Sequence, residues 1–202
     1  INVRDQHQRS CLIRLLSKHH PDTSDQADFM ETLNVICEFE GKDTENERNP
    51  QPRQIASMNY MDEDNRTALM WACFHGLTEA VRVLLDRRDL DPNRATLMTA
   101  SCETSSGRSG RTAFLWAACN DQVEVLSLLG QEAKKDGLID IYATDEFGKN
   151  ALMLAAEFGR SEAMRILLKE PFDYDINHRD DLGNTVLHAI AAVPSGSQHD
   201  EV

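Results

Sequence analysis

Four stretches of this 202-residue chain repeat one another without internal gaps, and no other feature of the sequence constrains its fold as tightly. They run DEDNRTALMWACFHG (62–76), GRSGRTAFLWAACND (107–121), DEFGKNALMLAAEFG (145–159) and DDLGNTVLHAIA (180–191). The anchor residues Thr67, Thr112, Asn150 and Thr185 are 45, 38 and 35 residues apart. A unit of that size is one supersecondary piece, too small to bury its apolar side alone. Stacked neighbours bury it together, so the chain must form an array.

Each unit explains itself locally. Thr67, Thr112, Asn150 and Thr185 can bond free backbone groups at a helix start. Leu69, Ala72, Leu152 and Ala155 recur at helical spacing, with small alanines where two helices approach closely. Gly76 and Gly159 supply the positive φ that stops one helix and turns the chain back, and Asp121 takes that place in the second segment. A second amphipathic helix follows each time: Thr78–Leu85, Val123–Leu129 and Ser161–Leu168.

These residues resemble the ankyrin family, whose repeats carry D-x-x-G-x-T-P-L-H-x-A-A followed by an E-V-V-x-L-L helix. The resemblance covers Tyr60 to Ala191. The family proline is Ala or Val throughout (Ala68, Ala113, Ala151, Val186), and its histidine survives at His188 alone. The resemblance implies an all-α solenoid of stacked helix-turn-helix pairs with β-hairpin-like fingers, and a period of about 33 residues.

On that reading the chain is a single array. A divergent repeat occupies 5–39, with helices near Ser10–Ser17 and Ala27–Phe39, and a polar loop insertion follows at 40–58. Repeats then span 62–95, 107–144 and 145–179, a finger insertion lies at 96–109, and a partial repeat fills 180–202. Ile1-Asn-Val-Arg-Asp5 matches Ile176-Asn-His-Arg-Asp180, and His199-Asp-Glu-Val202 resembles the start of a second helix. The expectation is a piece excised from a longer array, with flanking repeats of the same chain as natural neighbours.

Charge narrows the partners. The formal net charge is −13, which repels phosphate backbones and anionic headgroups, so no nucleic acid and no membrane insertion are expected. A protein or peptide with a basic or mixed-charge surface fits better. No apolar run approaches the roughly 20 residues of a membrane span. The opening residues carry no signal-peptide pattern, and five irregularly spaced cysteines read as reduced thiols. The expected location is intracellular, cytoplasmic and/or nuclear.

Sites of chemistry do not emerge. Cys73 and His75 flank Phe74, but the repeat places Cys73 at a small buried helix position, so no catalytic residue is assigned. His19-His20 and His199-Asp-Glu lack further ligands at useful spacing, so no metal and no cofactor are expected. Gly107-RSG-Arg111-Thr112 lacks the lysine and length of a phosphate loop, and Asp62-Glu-Asp-Asn lacks the glycine and glutamate of a calcium loop.

The family generally presents the last residues of helix one and the finger tips on a concave surface where partners dock. Carried onto this chain, the resemblance implies a strip of Glu63, Asp64, Arg66, Phe74 and His75, then Arg108, Arg111, Cys119 and Asn120, then Glu146, Phe147, Lys149, Glu157 and Phe158. Phe74 and Phe158 read equally well as hot-spot aromatics or as packing between repeats; Trp71 and Trp116 share one repeat position and read as core. The family's finger asparagines can be hydroxylated by an intracellular dioxygenase, and Asp175-Ile176-Asn177 supplies that pattern with two extra residues of spacing. The function implied is a non-catalytic scaffold or adaptor that binds a partner; the alternative is a regulatory domain of a larger enzyme or channel.

Overall fold

The computed structural model describes residues 10–18, 26–41, 59–87, 90–96, 109–169 and 172–192. The described residues form nine helices: α1 (Cys11–Lys18), α2 (Gln26–Gly41), α3 (Ala68–Phe74), α4 (Thr78–Leu85), α5 (Ala113–Cys119), α6 (Val123–Asp136), α7 (Ala151–Glu157), α8 (Ser161–Leu167) and α9 (Val186–Ala192). They pair as α1/α2, α3/α4, α5/α6 and α7/α8. First helices stack in the order α1, α3, α5, α7, α9, and second helices in the order α2, α4, α6, α8. The result is a two-layer helical array of four pairs and a ninth helix packed on α7.

Three of the four finger turns are each built by one carboxylate. Asp62 Oδ1 accepts the N–H groups of Asp64 and Arg66 at 3.0 and 2.8 Å. Asp145 treats Phe147 and Lys149 alike at 3.0 and 2.9 Å, and Asp180 treats Leu182 and Asn184 alike at 3.0 and 2.8 Å. The residue two before Thr67, Thr112, Asn150 and Thr185 has positive φ: 58° at Asn65, 76° at Gly110, 74° at Gly148 and 81° at Gly183. The side chains of Thr67, Thr112 and Asn150 then cap the N–H groups of Met70, Leu115 and Met153. Where the family histidine survives, His188 Nδ1 lies 3.0 Å from Thr185 Oγ1. No strand occurs among the described residues, so the fingers are stacked turns rather than formal hairpins.

The third repeat departs from the sequence alignment. Thr96, rather than Gly107, occupies the finger position of Asp62. Its N–H donates to Arg111 O at 3.0 Å, as that of Asp62 does to Arg66 O at 3.0 Å. Gly110 N–H donates to Thr96 O at 2.7 Å, and Arg111 N–H to Thr96 Oγ1 at 3.0 Å. The insertion therefore opens inside the turn, after its first residue. Residues 97–108 and most of the expected loop at 40–58 lie outside the described residues.

Repeats are stapled to one another by side chains that follow the inter-helix turn. Gln122 Nε2 donates to Phe74 O at 3.1 Å, and Arg160 Nε donates to Cys119 O at 2.8 Å. The alanines Ala72, Ala117, Ala155 and Ala156 are buried between layers. α6 runs seven residues past the expected Leu129, and its last turn closes at Gly137 with φ 70°. Opposite Gly130 in that helix sits Phe172, buried against Phe114 at 5.7 Å between ring centroids. The Tyr174 hydroxyl donates to the Ile141 carbonyl and that of Tyr142 to Phe172 O, which ties this longer connection down.

Candidate partner-binding face

Fingers and first helices come together on one side of the array. At its centre is a ladder of rings and guanidinium groups. Arg66 Cζ lies 4.9 Å from the ring of Trp71 in its own repeat and 5.3 Å from that of Trp116 in the next. Arg111 Cζ lies 5.6 Å from the Trp116 ring and 5.3 Å from that of Phe158, again one repeat on. Phe74 meets Trp71 and Trp116 edge-on, each at 5.8 Å, and His75 stacks on Trp71 at 5.7 Å. Each finger arginine thus bridges two repeats, a placement that favours the charged guanidinium over the ring faces.

Several expected strip residues fall on this face with open side chains. Glu63, Asp64, Glu146 and Glu157 are exposed, Phe147 is 41% exposed and Phe158 39%. Lys149 is half-buried, pairs with Glu157 Oε2 at 2.9 Å and lies 6.0 Å from the Phe147 ring. Phe74 and His75 are partly buried within the ladder, and Asn120 donates its amide to Trp116 O at 2.8 Å. Arg66 keeps some exposure and approaches Asp64 at 3.7 Å.

Two of the expected contacts are not on the surface. Arg111 and Cys119 are each only 3% exposed. Arg111 is laid against Trp116 and Phe158, and burial pushes the Cys119 thiol above its ordinary pKa despite the nearby Arg111. They support the face from beneath. Arg108 lies outside the described residues. Asn177 is exposed, its N–H bonded to Asp175 Oδ1 at 2.8 Å.

The sequence reading missed the role of the tryptophans. Trp116 is buried as core, but Trp71 is only partly so, and both serve as platforms for arginines. Their signal was available as a coincidence: arginine one residue before the capping threonine wherever tryptophan follows four residues after it.

Little else here resembles a reactive centre. Burial drives the Cys73 thiol well above its ordinary pKa, which leaves it protonated and unreactive. Among the described residues no three His, Cys, Asp or Glu side chains gather within metal-ligating reach, and no helix is long and apolar enough to cross a membrane.

A family model for ankyrin repeats in three copies matches residues 5–137, 96–180 and 136–199. The chain belongs to the ankyrin-repeat family. It is also similar to Inversin of Danio rerio, 43% identical over 61 residues, which cover 30% of this chain and 6% of Inversin. Ankyrin repeats generally mediate protein–protein interaction and are typically non-catalytic.

Proposed function

We propose that this ankyrin array is a scaffold or adaptor module that holds a partner protein or peptide on the concave face of its fingers and first helices. The observation that carries the reading is the ladder Trp71–Arg66–Trp116–Arg111–Phe158, which makes one rigid floor across three repeats. Rigid aromatic anchors beside charged groups are what interface hot spots are made of. The cations on this floor already have internal company: Lys149 pairs with Glu157, and Arg160 donates to Cys119 O. Glu63, Asp64 and Glu146 stand exposed at the finger tips. This arrangement supports a partner whose rim is basic and whose core is apolar.

The test is affinity capture with the chain as bait, repeated with Phe158→Ala and Phe74→Ala under circular dichroism. Phe158→Ala is expected to lose the partner with the helical signal intact. Phe74→Ala is expected to lose helical stability as well, because Phe74 packs against rings of two repeats. Full capture by a folded Phe158→Ala chain removes this face from consideration. Asn177 is proposed as a hydroxylation site, on its exposure and the preceding Asp175-Ile176. Peptide mass spectrometry after coexpression with an asparaginyl dioxygenase decides it: a gain of one oxygen at Asn177 supports the site, and an unmodified residue ends it.

A further inference from the structure

We draw no further inference here: the strongest candidate, the cleft between the ends of α4 and α6 lined by Leu85, Leu90, Ile139, Asp86, Glu132 and Asp136, has Glu132 already paired with Lys135 and Asp136 with the Leu138 N–H, and nothing in the structure shows what covers it.

Discussion

The carboxylate of Asp121 accepts the backbone N–H of Ala163 at 2.7 Å, so a residue in the inter-helix turn of one repeat caps a helix of the next. α8 has no side-chain cap of its own, since Arg160 occupies that place. Asp121 also holds φ at 58°, where the neighbouring repeats have Gly76 and Gly159. Stacking is therefore maintained by polar contacts at the turns as well as by the buried alanines.

Asp121 variants separate these two roles. Asp121→Gly relieves the backbone but loses the cap, and should cost up to about 1 kcal/mol. Asp121→Ala loses the cap and keeps a β-carbon at positive φ, adding roughly another 1 kcal/mol. Asp121→Asn, which keeps an acceptor and tolerates the conformation, should be nearly neutral. Urea unfolding gives the order; an alanine variant as stable as the asparagine one removes the cap from the account.

Gly130 makes room for Phe172. A β-carbon there would lie 2.4 Å from Phe172 Cζ, well inside contact distance. Gly130→Ala should destabilise the array by about 1–3 kcal/mol, despite alanine's better helix propensity. Adding Phe172→Leu should recover part of the loss, and a double-mutant cycle measures that coupling. Additive effects would mean the two side chains do not compete for the same space.

Asp145 and Asp180 occupy the same finger position in successive repeats yet titrate in opposite senses. Burial raises the Asp145 pKa, and the N–H groups of Lys149 and Phe147 do not fully offset it. For Asp180, burial pulls upward too, but the side-chain and backbone bonds from Asn184 and the N–H of Leu182 outweigh it and lower the pKa. A raised carboxyl binds its proton more tightly when folded, so its contribution to stability falls as pH rises from the unfolded value through the folded one. A lowered one contributes stability above the unfolded value and loses it as pH falls through the folded one. Carboxyl 13C titration should place Asp145 above the ordinary range and Asp180 below it. Asp145→Asn, which keeps the turn acceptor, should abolish the Asp145 part of the slope.

How far the sequence reached depended on whether a feature was local. Thr78–Leu85 was legible to the residue as α4, because its apolar periodicity lies within the segment and the Gly76 turn directly precedes it. α6 outran its expected end, since Gly130 is there for Phe172, a residue 42 positions away. The third finger was misplaced for a similar reason: alignment pairs Gly107 with Asp62, whereas the hydrogen bonds show the chain returning to Thr96 after the insertion. On the candidate face, the exposed Phe147 and Phe158 were legible from the repeat pattern. The burial of Arg111 was not, because the ring that covers it, Phe158, belongs to the next repeat.

The central claim is that a partner docks on the face of fingers and first helices, and site-directed photocrosslinking tests it most directly. A photoreactive residue at position 158 samples that face, and one at position 165 samples the exposed side of α8 in the second-helix layer. With the captured partner, position 158 should crosslink and position 165 should not. In parallel, Phe158→Ala should weaken binding by about 2 kcal/mol, as loss of an aromatic anchor does. Crosslinking at position 165 with none at position 158, and unchanged affinity for Phe158→Ala, would contradict the account.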